Sequence, residues 1–230
     1  MIFSHSRQAV IPAIAARFRQ LRRVLLAGIV ALPAGLLPAF AWGASPPVVL
    51  VIGDSLSAGY GLAAGQGWVD LLQKKLAAHG FAHRVVNASI SGDTTAGGKS
   101  RIGAALDAHK PEVVIIELGG NDGLRGAALP SVRANLDFMV ETAQRAGAQV
   151  LLLGMQLPPN YGPTYVRQFA ALFSDVAKAR NTGFVPFILQ GFGDRPEMFQ
   201  ADRIHPTAQA QPLMVETVWP ELKKLVSRQP

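Results

Sequence analysis

The chain has 230 residues, 49% of them hydrophobic and 16% charged, with 23 Gly, 16 Pro and no Cys. That length and apolar content suit a domain with a sizeable core and exclude a disordered chain. The missing cysteine excludes a disulfide scaffold, a thiolate zinc site, an iron–sulfur cluster and a cysteine nucleophile. The net charge of +7 belongs to the N-terminus, where Arg7, Arg17, Arg19, Arg22 and Arg23 precede the first acid, Asp54. From Trp42 onward 17 basic residues face 15 acidic ones, so electrostatics give nucleic-acid binding no support.

After the arginines, residues 24–40 carry no charge, and Ala39-Phe40-Ala41 follows. A basic segment, an apolar segment and small residues at −3 and −1 make up an export signal. Residues 1–41 are therefore expected to be a signal peptide, cut after Ala41 or Gly43, which implies a periplasmic or secreted protein. An uncleaved anchor is the alternative, because 17 residues is the lower edge of spanning length. Gly28, Pro33, Gly35 and Pro38 weaken a persistent helix there, so no stable membrane anchor is expected.

Five short, nearly continuous apolar runs follow, at 48–52, 84–87, 113–118, 150–153 and 184–188. Runs of this kind fit strands buried on both faces. Between them, Trp68, Leu71, Leu72 and Leu76 recur at helical spacing before Gly80. Leu136, Met139, Val140 and Ala143 do so before Gly147, and Phe169, Leu172, Phe173, Val176 and Ala177 before Gly183. A last helix is expected within 208–225, its extent clouded by Pro212 and Pro220. Strand–helix alternation with short connections predicts a single three-layer α/β domain over 46–230, flavodoxin-like, with a five-stranded parallel sheet. Such sheets bind ligands beyond the carboxyl ends of their strands.

Polar clusters fall at those ends. They are Gly53-Asp54-Ser55-Leu56-Ser57, then Asn87 to Asp93, then Gly119-Gly120-Asn121-Asp122, and finally Asp202-Arg203-Ile204-His205 before the last helix. A serine attacks well only when a base takes its proton, and the base needs an acceptor to hold its tautomer. Asp202 and His205 are three apart, close enough for a local bond, and Ser55 can present its hydroxyl to that imidazole. The backbone N–H groups of Ser55 and Gly92 and the amide of Asn121 are candidate donors to an oxyanion. Asp54 reads as the cap of the following turn, with a triad acid as the rival reading. Asp93 and Asp122 read as loop-ordering. His79 and His83 have a spacing that metal sites use, but Gly80 interrupts the helix and no third ligand appears; both read as solvent-exposed. Gly59, Gly61 and Gly65 resemble a dinucleotide fingerprint but start too far from the first strand, so a loop beside the site is preferred.

These blocks, in this order, resemble the SGNH or GDSL hydrolase family. The stretches GDSLSAGYG at 53–61, NASISGDT at 87–94, ELGGNDGLR at 117–125 and LPPNYG at 157–162 look most like its small bacterial periplasmic thioesterases, lysophospholipases and arylesterases. The resemblance implies that Ser55 attacks, His205 serves as base and then acid, Asp202 orients it, and Ser55, Gly92 and Asn121 form the oxyanion hole. It implies a small-molecule acyl ester or thioester as partner, with no cofactor and no metal, and nothing demands more than a monomer. The Pro-rich segment at 157–163 is either a rigid connector or a wall of the acyl pocket, with Met155, Leu157 and Tyr161 as proposed lining. A carbohydrate acetyl-esterase would use the same residues on a smaller acyl group. A non-catalytic ligand-binding domain is the rival from another class; it would not need a base paired to a nucleophile.

Overall fold

The computed structural model describes residues 45–226; the expected signal segment at 1–41 lies outside them. Five strands form one all-parallel sheet in the order β2-β1-β3-β4-β5. They are β1 (Val48–Gly53), β2 (Arg84–Asn87), β3 (Val113–Glu117), β4 (Gln149–Leu153) and β5 (Gly183–Val185). Every residue of β1 and of β3 is buried. Because side chains alternate between faces, full burial means that helices cover both. The last strand is shorter than expected, since Pro186 lacks the N–H that would continue the ladder.

Among the described residues seven α-helices accompany the sheet: α1 (Ser55–Ala58), α2 (Trp68–Ala78), α3 (Thr95–His109), α4 (Gly120–Leu124), α5 (Leu129–Arg145), α6 (Pro163–Arg180) and α7 (Gln211–Leu225). Helices α2 and α7 pack together, and α5 packs between α3 and α6. The apolar stripes foreseen on α2, α5 and α6 are their buried faces. In α7, Pro212 sits in the first turn, where its missing N–H is harmless, and Pro220 lies within the helix. Helix α3 was not foreseen. Its buried positions are Thr95, Gly98, Ile102 and Leu106, a helical spacing disguised by small residues. Gly98 is there for close packing: a Cβ on it would stand 2.3 Å from Leu118 Cδ1 and 2.9 Å from Met139 Sδ.

The order of strands reverses at β1, which pairs with β2 on one side and β3 on the other. The crevice beyond the carboxyl ends of β1 and β3 is thus the topological switch point. Its far wall begins at Gly154, whose N–H bonds Val185 O at 2.7 Å and whose carbonyl accepts from Ile188 N at 3.2 Å. A Cβ at Gly154 would stand 2.3 Å from Pro186 O, a backbone atom that cannot swing aside. Gly154→Ala is therefore expected to cost about 1–3 kcal/mol, or about 2–12 °C in Tm. Calorimetry of the variant checks this, and an unchanged Tm contradicts it.

Candidate active site

Ser55 opens α1 directly after β1. Asp54 is the N-cap of that turn, and its Oδ1 accepts from Leu56 N at 3.0 Å. Gly59 ends the turn in the left-handed region, φ 75°, with its N–H on Ser55 O. Ser55 Oγ lies 2.8 Å from His205 Nε2. His205 Nδ1 lies 2.7 Å from Asp202 Oδ2, while Asp202 Oδ1 accepts from the N–H groups of Ile204 at 2.9 Å and His205 at 3.0 Å. Arg203 takes φ 59° between them, a conformation rare outside glycine, and this tight turn aims both N–H groups at the carboxylate. Those bonds, the His205 backbone N–H first, hold the Asp202 carboxyl down at about 2. The ring of Tyr60 packs over that of His205 at 4.4 Å between centroids.

The base is held from behind as well. Gln200 N–H donates to His205 O at 2.8 Å, and Gln200 Nε2 donates to Tyr60 O at 2.8 Å and to Pro206 O at 3.2 Å. Gln211, buried at the start of α7, accepts from Trp68 N at 2.9 Å and donates to Thr207 O at 3.3 Å. Neither glutamine was foreseen, because a lone amide in a loop carries no spacing signal.

On the other side of Ser55, Gly92 takes φ 80° with nothing within 4 Å of its missing Cβ. Among the described residues, neither Gly92 N–H nor Ser55 N–H makes a hydrogen bond. Asn121 stands in α4, after Gly119 turns the chain out of β3 with φ 118°. Its Nδ2 donates to Asp54 Oδ2 at 3.1 Å and to Asp93 O at 2.9 Å, so both amide hydrogens are already engaged. Asp93 pairs with Arg101 at 2.8 Å, and Arg101 also reaches Gly53 O at 3.2 Å and Ala88 O. Asp122 accepts from Thr95 N at 2.9 Å and Thr95 Oγ1 at 2.7 Å, tying α4 to the start of α3. Both acids order loops.

Two expectations need correction. Met155 and Leu157 are 5% and 7% exposed, so they do not line an open channel. They fill space left by glycines of α4: a Cβ at Gly120 would stand 3.5 Å from Met155 Cε, and one at Gly123 would stand 2.8 Å from Leu157 Cδ2. Tyr161 is half-buried and donates its hydroxyl to Leu124 O at 3.1 Å, which leaves the Leu124 side chain as the exposed apolar surface there. His83 is not exposed but buried, with Nε2 3.1 Å from Glu112 Oε2 and its ring against Phe81, whereas His79 is exposed.

A buried acid was missed altogether. Glu117, the last residue of β3, is fully buried; its Oε2 accepts from Ser57 Oγ at 2.6 Å and Asp54 N at 3.4 Å. Burial, with the Asp54 carboxylate beside it, holds Glu117 well above the usual carboxylate range. Burial likewise pushes Asp54 up to about 6, against the opposing bond from Leu56 N–H and the His205 charge.

Residues 51–212 match the GDSL-like Lipase/Acylhydrolase family. The chain is 52% identical over 206 residues to Esterase TesA of Pseudomonas aeruginosa, covering 90% of this chain and 100% of that one. It is 39% identical over 184 residues to Thioesterase 1/protease 1/lysophospholipase L1 of Escherichia coli, covering 80% and 87%. In structure it is similar to the psychrotrophic esterase EstA from Pseudoalteromonas sp., solved inhibited by monoethylphosphonate, with TM-score 0.74, 38% identity, and 77% and 97% of the two chains covered. The chain belongs to the GDSL-like lipase/acylhydrolase family. By class it is an enzyme that hydrolyses carboxylic esters and thioesters.

The pair of raised acids makes a prediction about stability. Asp54 binds a proton more tightly folded, at about 6, than its ordinary 3.8. Between those values the folded chain holds the extra proton, so this group's contribution to stability falls as pH rises from about 4 to about 6. Asp202 runs the other way: its contribution is full above 3.8 and is lost as pH falls toward about 2. The Tm of Asp54→Asn minus that of wild type is expected to become more positive from pH 4 to pH 7. A difference that does not change with pH contradicts the assignment.

Proposed function

We propose that the protein is an exported serine hydrolase that cleaves acyl esters and thioesters through an acyl-Ser55 intermediate. The unbroken chain from Ser55 Oγ to His205 to Asp202, at 2.8 and 2.7 Å, carries this reading. His205 Nε2 takes the hydroxyl proton as Ser55 Oγ attacks the acyl carbon, and returns it to the departing alcohol or thiol. A water then attacks the acyl group with the same base, which frees the acid and restores Ser55. Asp202, held ionised by three hydrogen bonds, fixes the tautomer and steadies the imidazolium. No cofactor takes part in these steps.

The free N–H groups of Ser55 and Gly92 supply two donors to the oxyanion, and Asn121 supplies the third by exchanging Asp93 O or Asp54 Oδ2 for it. The acyl chain runs along Leu124 and Tyr161, while Met155 and Leu157 support α4 from beneath. The thioesterase and lysophospholipase in the Escherichia coli relative's name support thioesters and lysophospholipids as substrates of this site. The basic and apolar pattern of residues 1–41 supports export, and among the described residues no helix is long and apolar enough to cross a membrane.

Ser55→Ala is expected to abolish turnover of p-nitrophenyl esters while keeping the wild-type Tm; a turning-over Ser55→Ala protein overturns the mechanism. Each buried CH₂ contributes about 0.8 kcal/mol, so in a panel from acetate to palmitate, medium chains should exceed acetate by about tenfold or more in kcat/KM. Acetate turned over as well as the longer esters sinks the lipid reading and favours the acetyl-esterase. Asn121→Ala is expected to lower kcat by about 10²–10³ with little change in KM. A fully active, stable variant removes Asn121 from the oxyanion hole.

A further inference from the structure

Glu117 takes no part in the chemistry above, yet it is the fully buried acid nearest the nucleophile's turn. Its Oε2 lies 2.6 Å from Ser57 Oγ and 3.4 Å from Asp54 N, two groups that flank Ser55 in sequence. Its Oε1 is buried and makes no hydrogen bond among the described residues. Gly53 makes the approach possible: a Cβ there would stand 2.8 Å from Glu117 Oε2 and 2.7 Å from Ser57 Cβ and Oγ. The sheet register aligns the two ends, since Gly53 is the partner of Glu117 in the β1–β3 pair. Helix α1 is only four residues long, too short to hold its own shape. Something outside it must fix where Ser55 points.

We propose that Glu117 is a positioning residue for the nucleophile, a buried acceptor that clamps Ser57 and the Asp54 N–H to the end of β3 and so sets Ser55 Oγ against His205. The clamp works in the uncharged form. An ionised carboxylate with one oxygen dry and unpartnered, beside a second buried carboxylate, is far costlier than a neutral acid with one unpaired hydroxyl. The raised proton affinity of Glu117 agrees in direction. The charged groups that face it are few. Asp54 comes from the β1–α1 junction and is itself within reach of the His205 charge. Arg101 comes from α3, donates to Gly53 O at 3.2 Å and is already paired with Asp93 at 2.8 Å. The neighbour from α4, Asn121, is uncharged and donates to Asp54 rather than to Glu117. Keeping Glu117 neutral spares Asp54 a second adjacent charge, which leaves Asp54 free to accept from both Leu56 N and Asn121.

The neutral clamp has an isostere. Glutamine puts a carbonyl toward Ser57 and Asp54 N–H, and an amide where the acid hydroxyl stood. Glu117→Gln is therefore expected to keep kcat within about threefold of wild type, with the acid limb of its kcat/KM profile superimposed on that of wild type. Glu117→Ala and Ser57→Ala are each expected to lower kcat by about 10–100-fold at unchanged KM, because a nucleophile misplaced by about 1 Å loses about that much. The double variant should be no worse than Glu117→Ala alone, since the Ser57 hydroxyl acts through Glu117. All assays run at least 15 °C below the measured Tm of each variant. If Glu117→Ala does not fold, Ser57→Ala and Glu117→Gln carry the test. Wild-type kcat in the alanine variants overturns the inference, as do additive losses, a Glu117→Gln as impaired as Glu117→Ala, or a displaced acid limb in Glu117→Gln. The inference rests on Ser55 as nucleophile, and the two fail separately. Turnover by Ser55→Ala sinks that reading whatever Glu117 does, whereas an inert Ser55→Ala beside normal Glu117 and Ser57 variants sinks only the clamp.

Discussion

A hydroxyl and an imidazole 150 residues apart in sequence meet at 2.8 Å, and most of the polar structure around them serves that meeting. Ser55 is placed by the end of β1, an inner strand of the sheet whose residues are all buried. His205 is placed by a loop with no strand or helix of its own, so its position has to be built from individual hydrogen bonds. Gln200 joins that loop to the chain beyond Ser55, Gln211 joins it to α2, and the strained turn at Arg203 lets Asp202 hold the imidazole. One half of the pair is fixed by the core, the other by a polar lattice laid over it.

Beneath the nucleophile the same economy produces a cost. Asp54 and Glu117 are two acids in one dry space, and both are held toward their protonated forms. A core optimised for stability would not place them there, because a buried carboxyl is costly unless its oxygens are paired. Their bonds run to Leu56 N, Asn121, Ser57 and Asp54 N, the groups that shape the turn and the neighbouring donor. Stability is given up locally to hold geometry at the reacting serine, a trade that functional sites commonly make.

The fold was legible because its inner strands β1, β3 and β4 are almost wholly buried and so appear as unbroken apolar runs, and because α2, α5 and α6 each bury one face. Helix α3 was hidden by Gly97, Gly98 and Gly103, which lower helix propensity, Gly98 in exchange for close packing on Leu118 and Met139. The short β5 was overrun because Pro186 sits inside an otherwise strand-like stretch. Within the site, Ser55, Asp202 and His205 were legible from the order of short motifs at strand ends, and Asp54 from the chemistry of caps. Glu117 was not, since one acid ending an apolar strand looks like the strand's edge until the register brings it under Gly53. Met155 and Leu157 were misplaced for a related reason: apolar residues on a loop resemble a pocket wall, and only the glycines of α4 reveal that they are packed beneath it. His83 was misplaced because nothing local announces Glu112 as its partner.

The central claim is that Ser55 is a nucleophile made reactive by His205. The most direct measurement is the rate and site of modification by a serine-directed phosphonate, followed by peptide mass spectrometry. The account predicts one adduct per chain, on Ser55, formed at least about a hundredfold more slowly in His205→Ala, in line with the weight of general-base assistance. An adduct on another residue, or labelling of Ser55 at the wild-type rate without His205, would contradict it.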